Sequence, residues 1–170
     1  RRLELNGWQL VQWPVDGQGL IRLDLLETML APPTQLVSVI WGQSEVGGLQ
    51  PVLQVAQACR QRGITFHTDA TQVIPQGLIS WRDHSIDLLS LSAHKFRGPR
   101  GVGLLLHRSD SVPDPLQGGG GQEAGIRSGT EPVALIAGMA EAMRRLPHFN
   151  PAHQTVPPGD ALVRSQRDRL

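Results

Sequence analysis

The chain has 170 residues, with 16 Lys and Arg against 15 Asp and Glu, and a single cysteine. That length suits one domain with a sizeable core, and the net charge of +1 provides no one-signed field to draw in nucleic acid or an anionic membrane. The lone Cys59 excludes an intramolecular disulfide framework. No run of about 18 apolar residues is present. The opening Arg1-Arg2-Leu3-Glu4 has neither an apolar signal region nor an initiator Met. The expectation is a soluble, cytoplasmic protein whose start is cut rather than natural.

In chain order, Trp8 to Val15 reads as a short strand closed by the turn residues Asp16-Gly17-Gln18-Gly19. Arg22 to Leu30 has the apolar spacing of a short amphipathic helix stopped by Pro32-Pro33. Leu36 to Trp41 is a continuous apolar run, as expected of a buried parallel strand. Pro51 suits the first turn of a helix ending before Gly63, with Val52, Val55, Ala56 and Cys59 on one face. Ile64 to Asp69 and Ile86 to Ser92 read as further buried strands. Gly101 to His107 lies close enough to the latter to form a hairpin. Ser109 to Leu116 is loop, and Glu131 to Leu146 reads as a helix with Val133, Leu135, Ile136, Met139 and Met143 apolar. From Pro147 on, the chain is polar and Pro-rich, a linker or frayed end.

Alternating strands and helices predict an α/β domain with a largely parallel sheet. Ligands in such sheets sit beyond the carboxyl ends of the strands. Chemically capable residues fall there: Ser44-Glu45, Asp69 and His94-Lys95. Lys95, the only lysine, follows an apolar strand and precedes glycines that let backbone approach a ligand, which suits an amine nucleophile. The alternative is an exposed lysine in a Gly-Pro loop. A buried carboxylate at Asp69 needs a cationic partner, such as a protonated pyridine nitrogen; otherwise it caps the following turn. The run Gly118 to Gly121, followed by Arg127, Ser128 and Thr130, offers amides, hydroxyls and a guanidinium to a phosphate or carboxylate, although glycine runs are commonly just flexible loop. The six histidines lack ligand spacing, so no metal site is expected.

Three segments together carry a resemblance: His67–Gln72 (HTDATQ), Ser92–Gly103 (SAHKFRGPRGVG) and Gly119–Thr130 (GGGQEAGIRSGT). In order and separation they are similar to the cysteine desulfurases, class V members of the fold-type I pyridoxal-phosphate enzymes. The similarity extends from Asn6 through Ser44-Glu45-Val46-Gly47 to the helix around Met139, reaching about residue 145.

The resemblance implies an incomplete fold-type I large domain, three-layered α/β/α with a mostly parallel sheet. It covers residues 1–146, with 147–170 a linker or the start of a small domain. It implies pyridoxal 5'-phosphate as cofactor, held covalently by Lys95. Asp69 would pair with its ring nitrogen and Gln72 with its phenolic oxygen, while Ser92 and His94 would contact the phosphate. Thr130 resembles a residue that reaches the phosphate in a second subunit's site, which implies a homodimer. L-cysteine would be converted to L-alanine, the sulfur passing to an enzyme cysteine and on to an acceptor protein for iron–sulfur cluster assembly or another sulfur-transfer pathway.

There are departures. Ser44 stands where the family has a cofactor-contacting asparagine, and Ala124 where it often has arginine. The family's nucleophilic cysteine has no counterpart, because Cys59 reads as a buried hydrophobe in mid-helix. The chain alone is therefore expected to be inactive and poorly stable. Selenocysteine lyases share these motifs and stand as one alternative. A non-catalytic remnant that binds a partner is another.

Overall fold

A computed structural model describes residues 2–147. The order of elements is α1 (Arg2–Leu5), α2 (Leu26–Met29), β1 (Leu36–Ile40), α3 (Val52–Gln61), β2 (Thr65–Asp69), β3 (Leu88–Ser92), β4 (Gly103–His107) and α4 (Val133–Arg144). The strands form a single sheet in the order β1-β2-β3-β4. The first three are parallel, and β4 returns antiparallel to β3 as a hairpin.

Alternation within the strands decides what they bury. Val37, Val39, Phe66, Thr68, Leu89 and Leu91 point into the core, while Ser38, Ile40, His67, Asp69, Ser90 and Ser92 occupy the opposite, half-open face. The Leu36–Trp41 run is thus buried on one face only among the described residues, and Ile40 stays 42% exposed. Phe66 and Leu89 are completely enclosed, and each such side chain is worth about 1.5–3 kcal/mol of burial.

Helix α3 forms the crossover between β1 and β2. Its apolar positions Val52, Val55, Ala56 and Cys59 are buried, as their spacing predicts. Pro51 occupies the N-cap rather than the first turn. The helix closes on Gly63 in the left-handed region (φ 67), with Gly63 N donating to Arg60 O and Ile64 N to Cys59 O. This glycine-dependent stop satisfies the terminal carbonyls and turns the chain directly into β2.

At the amino ends of β2 and β3, Asp87 is almost fully buried. It accepts hydrogen bonds from Phe66 N at 2.8 Å and Arg60 at 2.9 Å, and its carboxylate lies 4.0 Å from the Arg108 guanidinium. A buried carboxylate needs such partners.

The strand expected over Trp8–Val15 does not form. This stretch makes one isolated bridge, Val15 with Ile21, and Leu10 and Val11 are about 60% exposed (59% and 62%). Alternating apolar residues make a strand only where a neighbour can complete the ladder, and none does so among the described residues. The helix expected at 22–30 splits into a 3-10 turn, Leu23–Leu25, and the single-turn α2. Helix α4 begins after Pro132, which takes its N-cap, so Val133 is 72% exposed while Met139 is buried. The linker expected at 147–170 lies, after Pro147, outside the described residues.

A candidate cofactor site at the sheet edge

The carboxyl ends of the three parallel strands come out along one edge, with Ile40 beside Asp69 and Asp69 beside Ser90. Asp69 closes β2 half-buried, and one carboxylate oxygen accepts the Thr71 amide at 2.9 Å. Ala70 N donates to Ser90 O at 3.0 Å, which keeps the strand end tied to β3. The chain then turns, with the Val73 and Ile74 amides on Ala70 O, and Gln72 sits half-buried in that turn.

The exit of β1 packs against this turn at Gly42. A Cβ there would lie 2.9 Å from Val73 Cγ2 and 3.6 Å from Gln72 Cβ, so only glycine allows the approach. Beyond it, Gln43 Oε1 accepts the Glu45 and Val46 amides and shapes a turn that leaves Ser44 exposed at its tip. No hydrogen bond joins Ser44 to the β2 or β3 ends among the described residues.

Ser92 ends β3 half-buried. A 3-10 turn, Ala93–Phe96, follows, with Ala93 and Phe96 buried as anchors and His94 and Lys95 exposed between them. Arg97 takes a left-handed conformation (φ 66), and Gly98 N donates to Ala93 O at 2.9 Å. A Cβ on Gly98 would sit 2.9 Å from that oxygen and from Ala93 Cβ. Helix α4 supports the segment from behind, where Gly138 lets Pro99 approach so closely that a Cβ would meet its ring at 3.2 Å. Lys95 makes no hydrogen bond or ion pair among the described residues, so its amine is available.

Asp69, Gln72, Ser92, His94 and Lys95 therefore meet at one edge. Thr130 lies exposed between the glycine loop and α4, and no hydrogen bond ties it to that edge among the described residues. That loop is nonetheless well defined. The buried Ser128 hydroxyl faces the Gln117 and Gly118 carbonyls at 2.7 and 2.9 Å, and Gln122 Oε1 accepts the Gly129 amide at 3.1 Å. Glu123 and Ala124 are left-handed (φ 50 and 54), a conformation costing about 1–2 kcal/mol per residue. Arg127 donates to the carbonyl of Ser128 at 2.6 Å, so it braces the loop.

His67 has a place that its motif did not reveal. Its Nδ1 pairs with the Ser38 hydroxyl at 2.8 Å and its Nε2 with the Ser90 hydroxyl at 3.1 Å, joining all three parallel strands. Burial lowers its pKa, and Asp69 opposes that in part. The signal available in the sequence was parity: His67 and Asp69 lie two apart on one strand and so share a face. Cys59 is wholly enclosed on α3, and burial, aided by Asp87, pushes its thiol up to about 11. It is a core residue.

Residues 2–154 match the family model for aminotransferase class-V. The chain is 43% identical over 144 residues to a probable mitochondrial cysteine desulfurase of Dictyostelium discoideum, covering 84% of this chain and 32% of that protein. Among solved structures, a NifS-like protein aligns with TM-score 0.78 and 40% identity over 84% of this chain and 40% of its own. SspA in complex with cysteine aligns with TM-score 0.80 and 35% identity, over 96% and 47%. The chain thus spans about a third of the curated relative's length (32%). With its mixed four-stranded sheet and the edge that Lys95 and Asp69 share, the chain belongs to the class-V aminotransferase family.

Proposed function

We propose that this edge holds pyridoxal phosphate through Lys95, and that the protein in its full natural length is a cysteine desulfurase. The observation that carries the proposal is the Lys95 amine, unpaired among the described residues and displayed by a turn anchored on Ala93 and Phe96, one strand away from the half-buried Asp69 carboxylate. The donor set fits the cofactor: an amine for its aldehyde, a carboxylate for its ring nitrogen, and an amide, a hydroxyl and an imidazole for its oxygens. When bound, the cofactor supplies an electron sink for bonds broken at the substrate α-carbon and beyond.

The chain's residues do the rest. Lys95 would hold the cofactor covalently, and its amine can take or return a proton. Asp69, steadied by the Thr71 amide on one oxygen, would keep the ring nitrogen protonated. Gln72 would orient the phenolic oxygen, and Ser92 and His94 would hold the phosphate. Ser44, exposed on its turn, would be a further contact. L-cysteine would leave as L-alanine, its sulfur passing to an enzyme cysteine thiolate and then to an acceptor protein in iron–sulfur cluster assembly. Cys59 is not that thiolate.

A homodimer belongs to the same proposal. Thr130 is exposed on a braced loop, open to a second subunit. Residues 1–146 would form part of the large domain and 147–170 lead towards a small one. A cytoplasmic location is likewise proposed, and cell fractionation checks it.

The test is absorbance of the purified full-length protein with pyridoxal phosphate, before and after borohydride, beside Lys95→Ala. A visible band that borohydride removes, fixing the cofactor on the Lys95 peptide and absent from the variant, is expected. A wild type without that adduct would overturn the proposal.

A further inference from the structure

We infer that His67 is a positioning residue for this cofactor edge, its ring clamping β1 to β3 immediately beneath Asp69. The inference rests on the proposed cofactor reading and deepens it.

The geometry is specific. His67 and Asp69 share a strand and a face, and the neighbour of Asp69 across the sheet is Ser90, the same serine that holds His67 Nε2. On the other side Ser38 sits directly beside His67 and holds Nδ1. A neutral imidazole donates through one nitrogen and accepts through the other, so it bridges two hydroxyls, each of which can give or take a proton. The Ser38–His67–Ser90 row therefore ties side chains across three strands, running from one pleat below the proposed ring-nitrogen partner on β1 and β2 up to its own level on β3. Two residues past Ser90 comes Ser92, and the lysine turn starts there.

Backbone ladders fix strand spacing, yet they do not fix how side chains on the open face lean. On the covered face that task falls to packing; Phe66 and Thr68 are wholly enclosed. On the open face the hydrogen-bonded row is what performs it. A charge-bearing edge needs its carboxylate held within about 0.5 Å of the productive position. His67 supplies lateral support for Asp69 without contacting the cofactor.

The experiment uses the full-length protein loaded with pyridoxal phosphate. Cofactor affinity is read by titration, and the pH midpoint of the visible band by spectrophotometry, in wild type, His67→Leu, His67→Asn, Ser38→Ala and Ser90→Ala. The expectation is that His67→Leu weakens cofactor retention on the order of tenfold and displaces the band's pH midpoint. Asn, which keeps a donor and an acceptor, should recover part of both, and each serine variant should show a smaller loss. The serine variants keep the ring and its packing, so they report even where His67→Leu fails to fold. Unchanged affinity and midpoint in the two serine variants and His67→Asn, with a normal wild-type band, would overturn this inference alone. A wild type that forms no reducible band on Lys95 would overturn the cofactor reading, and this inference with it.

Discussion

At His67 the ring is half-buried between two serines, and the energy of that burial falls on the charged form. Its folded pKa lies below the ordinary histidine value, with Asp69 opposing the shift only in part. An unfolded chain therefore takes up a proton first as the pH falls. The stabilisation is present above the ordinary histidine pKa of about 6.5 and is lost as pH drops through the lower folded value. The urea midpoint should decline more steeply between neutral and mildly acidic pH in wild type than in His67→Asn. Parallel slopes would show that the imidazole is not held neutral. Cys59 gives the opposite shift. Its thiol, pushed up to about 11 mainly by burial, should ignore a disulfide reagent at pH 8 until the protein unfolds. Cys59→Ser places a hydroxyl in an apolar setting and should cost about 1–3 kcal/mol in chemical denaturation.

Among the elements, the β3–β4 hairpin and its intervening turn decide where Lys95 stands. Gly103 faces the Leu91 carbonyl so closely that a Cβ would lie 2.7 Å from that oxygen. Gly98 is equally confined by Ala93. Gly98→Ala should displace the lysine turn, lowering cofactor retention while leaving much of the far-UV circular dichroism in place; undiminished retention would show that the turn tolerates the shift. Asp87 works at the other end of the same strand. Asp87→Ala strips the buried Phe66 amide of its acceptor and should lower stability by about 1–3 kcal/mol. These elements also show what was legible. The parallel strands and α3 announced themselves because Gly63, Pro51 and the spacing from Val52 to Cys59 act within a few residues of one another. The candidate edge was legible for the same reason, since Asp69 ends one strand and Lys95 lies in the turn just after another. Trp8–Val15 misled because a strand needs a neighbour, and no local pattern reports whether one exists. The His67 clamp was hidden similarly, since Ser38 and Ser90 lie 29 and 23 residues away.

At the scale of the molecule, the sheet is lopsided among the described residues. One face carries enclosed apolar side chains, and the other carries a polar row flanked by Ile40 and Leu105, 42% and 44% exposed. Further out, Leu10, Val11, Leu116 and Val133 are each more than half exposed (59%, 62%, 77% and 72%). Scattered exposed hydrophobes are ordinary, but a half-bare sheet face is more often an interface. The segment shared with the Dictyostelium discoideum relative makes up only 32% of that protein. These 170 residues expressed alone should therefore bind a hydrophobic dye, and should self-associate or melt without a sharp transition. Dye fluorescence, sedimentation and thermal denaturation read those outcomes directly. A dispersed monomer with a cooperative melt and no dye binding would mean that the core from Val37 to Met139 is sufficient by itself. The open face would then be a surface in its own right, with the Ser38–His67–Ser90 row holding its side chains in place without any cover.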